Sequence, residues 1–167
     1  MEVALRYRGL ARAIMLVAIS AQQPPAAGSG TDAPPTVLFM CPHGAAKSVL
    51  ASAYFQRAAK ERGLNVRVLS AGTDPDPEIA PVVASHLRKN GYDVPAAKPR
   101  RATADDMATA DVIVSLGCDL KDLPPPRGTL LRWNDVPGPG EDFAAADAKI
   151  RERVSQLVED LIRQQRR

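Results

Sequence analysis

Of the side chains that staple, ligate or stack, this 167-residue sequence holds few: two cysteines, two histidines and one tryptophan. Cys41 and Cys118 are too few and too far apart for a small disulfide scaffold or a zinc site. An excess of one charge is also missing. Lys and Arg number 22 against 19 Asp and Glu, a formal charge of +3, and the two signs are interspersed, so the basic stripe of a nucleic-acid binder is absent. The apolar run over residues 13–19 is too short to form a stable membrane span. What remains is 45% hydrophobic with three Tyr and three Phe, which fits one compact domain with a tail rather than two domains.

The tail is N-terminal. Arg6, Arg8 and Arg12 precede the short apolar run, and small residues around Ala18 and Ser20 offer a cleavage point before Ala21. Residues 1–20 therefore read as an export signal, and residues 21–35, rich in Pro, Gly and Ala, as a flexible linker. This pattern predicts an exported, periplasmic protein; the alternative is a cytoplasmic protein with an upstream tail.

From residue 36 to 165, apolar runs alternate with amphipathic stretches. Residues 36–40 make a short, continuous apolar strand suited to the middle of a parallel sheet, followed by a helix that repeats Leu50, Ala53, Tyr54 and Ala58 until Gly63. A second strand is expected over 65–70, a loop over 71–75, and a helix that starts at Pro81 and ends near Gly91. A short helix over 103–108 takes Thr103 as its cap, 111–116 reads as a buried strand, and Leu130, Leu131 and Trp133 fit a last strand. The closing helix shows Phe143, Ala146, Ile150, Val154, Leu157 and Leu161 on one face, with Glu141 and Asp142 at its start. Alternating strands and helices imply an α/β fold: a parallel sheet covered by helices on both faces, three layers in all, with ligands at the carboxyl ends of the strands. Cys41 and Cys118 each follow a strand and should emerge at that edge.

The most informative stretch is Cys41-Pro42-His43-Gly44-Ala45-Ala46-Lys47-Ser48, between the first strand and the first helix. Backbone N–H groups after Cys41 can ring an anion, and the helix N-terminus adds partial positive charge. A thiolate is stabilised in the same field, which makes Cys41 the candidate nucleophile, against a buried structural cysteine. Pro42, His43, Gly44, Ala45 and Ala46 form the oxyanion-binding ring, Lys47 supplies a cation, and Ser48 either donates to the thiolate or caps the helix. Gly44 reaches a left-handed turn without side-chain support, and His43 is either a rim contact or a simply exposed ring. Nothing here calls for a metal or an organic cofactor.

These residues resemble the low-molecular-weight protein tyrosine phosphatases and the related thioredoxin-coupled arsenate reductases, which place Cys, five residues, Arg, then Ser or Thr after the first strand. Ser70-Ala71-Gly72-Thr73 and Ala110-Asp111-Val112-Ile113-Val114 are similar to two further family segments. The resemblance implies four parallel strands and a cysteine that attacks phosphorus to form a phosphocysteine. Lys47 stands where the family has arginine, so a planar fork is exchanged for a point charge. Losing one oxyanion donor corresponds to about 2–4 kcal/mol of transition-state stabilisation, roughly a hundredfold or more in rate.

The family's acid lies in an Asp-Pro pair before the last helix. Here Gly138 takes that position, and Asp135 is either a displaced acid or a turn-forming residue. Leu116-Gly117-Cys118-Asp119 resembles the second cysteine site of the arsenate reductases, whose third cysteine is missing here. Cys118 is then a redox partner of Cys41, a disulfide lock upon it, or a free structural thiol. The first expectation is hydrolysis of phosphomonoesters, including those on a phosphorylated protein, through Cys41, Lys47, Ser48 and Asp135. Arsenate reduction through Cys41 and Cys118 is the second, and a noncatalytic oxyanion-binding regulatory module the third.

Overall fold

The computed structural model describes residues 33–166; the export signal expected over 1–20 and most of the linker expected over 21–35 lie outside the described residues. The elements run β1 (Thr36–Cys41), α1 (Lys47–Glu61), β2 (Arg67–Gly72), α2 (Pro81–Lys89), α3 (Ala104–Thr109), β3 (Val112–Ser115), β4 (Thr129–Arg132) and α4 (Phe143–Gln165). The four strands are all parallel, in the order β2-β1-β3-β4. Strand β1 has neighbours on both sides and is buried from Val37 to Cys41, as a continuous apolar run in a parallel sheet requires.

Alternation along β1 divides the core. Val37, Phe39 and Cys41 belong to one cluster with Leu50, Tyr54 and Phe55 of α1, Val83 and Leu87 of α2, and Ile150, Val154 and Leu157 of α4. Leu38 and Met40 belong to a second cluster with Met107 of α3, Ile113 and Cys118. Helices therefore lie on both faces, with the larger share of the apolar area under α1 and α4.

Several boundaries differ from the sequence expectation for local reasons. Strand β2 starts two residues later than expected and continues through Ala71 and Gly72, which pair with Met40 and Cys41. The supposed loop residues are thus the end of the strand beside the cysteine. Trp133 lies just beyond β4, although its N–H still donates to the Ser115 carbonyl at 2.8 Å. Thr103 caps α3 from outside, and its reciprocal pairing with Asp106 completes a capping box. Asp142 caps α4 by accepting from the Ala145 N–H at 2.9 Å.

A polar cluster fixes α2 against α1 and α4. The Tyr54 hydroxyl donates to Asp147 and lies 3.0 Å from His86 Nε2, while Arg151 donates from Nε to Asp147 at 2.9 Å and from Nη1 to the Tyr92 hydroxyl at 2.8 Å. Burial and the neighbouring Asp147 push the Tyr54 phenol well above its ordinary value. The helix so anchored has a direct link to the loop after β1, through the Ala80 N–H and the Ala45 carbonyl at 3.0 Å.

The strand order sets the site. Connections from β1 to β2 and from β2 to β3 lead to opposite sides of β1, so the topological switch point falls between the carboxyl ends of β1 and β3. Cys41 ends one of those strands and Cys118 follows the other.

Candidate functional site

The loop from Pro42 to Ala46 is held from outside through its carbonyls. Those of Pro42, His43 and Ala45 accept from the N–H groups of Asp74 (2.8 Å), Asp76 (3.0 Å) and Ala80 (3.0 Å). The amides of His43, Ala45 and Ala46 have no acceptor among the described residues, and those of Lys47 and Ser48 begin α1 without an intrahelical partner. Helix α1 also has no side-chain cap and no acidic residue in its first turn. Such an uncapped helix start with unpaired amides is built for an anion.

Close packing fixes the loop further. Gly44, at φ +60°, faces Gly72 at the end of β2, and a Cβ on Gly72 would lie 2.6 Å from the Gly44 nitrogen. A Cβ on Gly44 would lie 2.9 Å from the Gly72 nitrogen, so each glycine makes room for the other's backbone. The Ser-Ala-Gly-Thr segment pointed to the fold in the sequence, and its glycine shapes the site as well. Behind this contact, a cavity of about 290 Å³ between α1 and β2 is lined by Gly44, Ser52, Ala53 and Ser70, whose buried Oγ has no hydrogen-bond partner among the described residues.

Cys41 is 3% exposed, and its Sγ lies 3.2 Å from the Oγ of the fully buried Ser48. Once the thiol ionises, that hydroxyl can donate to the thiolate. Cys41 and Ser48 thus lie beside the amides of His43, Ala45 and Ala46, whereas the Gly44 N–H, expected in the oxyanion ring, donates to the Cys41 carbonyl at 3.2 Å. His43 sits at the exposed rim, where its Nδ1 is 3.3 Å from Asp76.

Lys47 extends away from its loop. Its ammonium donates to the Val136 carbonyl at 3.3 Å and would lie 3.5 Å from a Cβ on Gly117, so it reaches the turns that follow β4 and β3. No sign in the sequence pointed Lys47 to Val136, or to Gly117 beside the second cysteine. A glycine directly after a strand is a turn signal, but nothing in Val136 announces that its carbonyl will hold a lysine.

Asp135 does not face the loop with a free carboxyl. It pairs with Arg153 at 2.7 Å and with Lys149 at 3.7 Å, both on α4. The Arg153 guanidinium holds its carboxyl below the usual carboxylate range, the opposite of what a proton donor needs. The Glu141 carboxyl lies against Gly138, with Oε2 3.5 Å from where a Cβ on Gly138 would be.

Cys118 lies in the second core cluster, on the other side of β1 from the cluster that contains Cys41. Both cysteines are free thiols. The Cys118 N–H donates to Ser115 Oγ at 3.2 Å. Burial, with the nearby Cys41 second, pushes the Cys118 thiol up to about 11, while the Ser115 hydroxyl and the Lys47 charge act in the opposite direction.

A family model described as low molecular weight phosphotyrosine protein phosphatase matches residues 36–127. A putative arsenate reductase of Halobacterium salinarum is 25% identical over 125 residues, which cover 74% of this chain and 87% of that protein. A solved thioredoxin-dependent arsenate reductase of Corynebacterium glutamicum aligns with a TM-score of 0.68 at 30% identity over 78% of this chain, which spans 63% of the length of that relative. A low molecular weight phosphotyrosine phosphatase of Vibrio cholerae has the same fold, with a TM-score of 0.68 at 23% identity over 77% of this chain and 97% of its own. The chain therefore belongs to the low molecular weight phosphotyrosine protein phosphatase family of cysteine-dependent enzymes.

Proposed function

We propose that this protein reduces a tetrahedral oxyanion of the arsenate type, with Cys41 as the first nucleophile and Cys118 as the second. The observation that carries this reading is a second buried thiol at the same switch point as the anion loop, electrostatically coupled to Cys41 and Lys47. In the first step the Cys41 thiolate attacks arsenic, and hydroxide leaves with a solvent proton as water. In the second, the Cys118 thiolate attacks Cys41 Sγ: an S–S bond forms, the S–As bond breaks, and its electron pair leaves with arsenic as arsenite. An external dithiol then reduces the disulfide.

The second step makes a structural demand. Cys118 packs with Leu38 and Met40, so its turn must leave that cluster to reach Cys41. One neighbouring feature favours reduction over ester hydrolysis: Asp135 is engaged by Arg153 and so is not free to serve as the acid for a leaving alkoxide.

Phosphomonoester hydrolysis is the second reading, favoured by one contact. The Glu141 carboxyl beside Gly138 offers a proton donor near the position that the family resemblance assigns to the acid. Cys118→Ser separates the two. Arsenate reduction with a dithiol should be lost and aryl phosphate turnover kept under the first reading. Arsenate reduction that survives this substitution removes Cys118 from the mechanism, and aryl phosphate turnover sensitive to Glu141→Gln makes hydrolysis the function.

A further inference from the structure

We propose that the Lys47 ammonium, held between the turns that follow β3 and β4, is the counter-ion of the Cys118 thiolate and not principally a ligand of the bound oxyanion. Its purpose rests on the reductase reading above, whereas its measurement does not.

The geometry comes first. Lys47 starts α1 immediately after the anion loop, yet its ammonium donates to Val136 and lies beside Gly117, the residue before Cys118. Gly117 has φ +86° and no side chain to stand between the ammonium and the turn. An ammonium has three donors, and the Val136 carbonyl takes one. A guanidinium at this position would present a rigid fork suited to two oxygens of one anion. A lysine on a flexible stem can serve two loops instead.

Among the described residues, Lys47 is the cation whose charge acts on the Cys118 thiol. On its own turn, Asp119 and Lys121 pair with each other at 3.1 Å and are exposed. From α3, Asp106 is engaged by both terminal nitrogens of Arg100, at 2.7 and 2.8 Å. From β1, Cys41 contributes a negative charge when ionised, which opposes a second thiolate. Lys47 from α1 is left as the positive charge that favours ionisation, supported by the Ser115 hydroxyl and the Leu116 N–H. A buried thiol with a raised pKa is a poor nucleophile at neutral pH, so the second step of the reduction needs such a counter-ion. On this account the exchange of arginine for lysine moves a cation from the oxyanion to the second thiol.

The test uses the full chain carrying Cys41→Ser, in which Cys118 is the sole cysteine. Its ionisation is followed by the chemical shift of a 13C-labelled cysteine β-carbon across pH, with and without Lys47→Met, Lys47→Gln and Lys47→Arg. The expected result is a midpoint for Cys118 that rises by about one pH unit or more in the Met and Gln variants and returns towards the parent value in the Arg variant. A midpoint that stays in place in a folded Met or Gln variant overturns the proposal, and a fall in affinity for inorganic phosphate in that variant would then make Lys47 an oxyanion ligand. A shifted midpoint beside an unsubstituted chain, with both cysteines reduced, that fails to reduce arsenate with an external dithiol would sink the reductase reading while leaving the Lys47–Cys118 pairing intact.

Discussion

The turns after β1 and β3 leave the same edge of the sheet and carry one cysteine each, but they are built from different materials. The first is a backbone device: its carbonyls are tied outward to Asp74, Asp76 and Ala80, the amides of His43, Ala45 and Ala46 have no acceptor among the described residues, and two glycines allow the chain to close on itself. The second is a side-chain device, in which Ser115 orients the turn, burial suppresses ionisation, and the charge of Lys47 reaches the thiol from another element. Equivalent positions in a fold therefore surround the two thiols with different groups. One lies beside unpaired backbone amides, whereas the other sits in apolar packing that pushes its ionisation up.

The largest effect should come from removing the thiol of the anion loop. Cys41→Ser is expected to lower both arsenate reduction and aryl phosphate turnover by on the order of a thousandfold or more, measured with fully reduced protein. Equal loss from Cys41→Ser and Cys118→Ser in aryl phosphate turnover would break the contrast between the two turns.

The backbone character of the first turn is tested next. Gly72→Ala forces a Cβ to within 2.6 Å of the Gly44 nitrogen. It should destabilise the protein by about 1–3 kcal/mol in denaturant titrations and abolish phosphate binding at the loop. An unchanged phosphate affinity would mean that the loop does not depend on this contact.

Acid reports on the two faces separately. Arg100 donates to Asp106 and, with Thr103, holds its carboxyl below the usual range. Burial works against the Asp147 carboxylate, but Tyr54 and Arg151 outweigh it and lower it too. Both groups bind fewer protons folded than unfolded. Their contribution is complete above the unfolded carboxylate value of about 3.9 and is lost as pH falls through their lower folded values. Asp106→Asn should flatten stability against pH in this acid range and, by weakening the capping box, cost about 1 kcal/mol at neutral pH.

The smallest effect concerns the cavity behind the loop. Ser70→Ala removes a buried hydroxyl without a partner and should raise stability by a few tenths to about 1 kcal/mol, seen as a modest rise in Tm. Altered phosphate affinity in the same variant would show that the cavity influences the loop through Gly44.

Much of this molecule was legible from local pattern. The continuous apolar run of β1, Pro81 at the start of α2, Thr103 as a cap and the long apolar face of α4 all appear as read, because each depends on residues within a turn or two. The expected end of β2 at Ser70 failed because Ala71 and Gly72 are strand only by virtue of pairing with Met40 and Cys41. Asp135 shows the same limit. Its sequence position suited an acid, but Arg153 and Lys149, more than a dozen residues further on, fix its charge.

By itself the sequence determined that a cysteine would stand between a buried strand and a helix start, in a loop small enough to surround an anion, because periodicity and small residues are local properties. Only the tertiary structure decided what lies around that cysteine. Sheet order brought Cys118 to the same switch point, strand alternation put the two thiols in different cores, and packing sent Lys47 to Val136 and Gly117. Charges and contacts that join residues dozens of positions apart are set by how elements pack, and a single chain read in order carries no record of those distances.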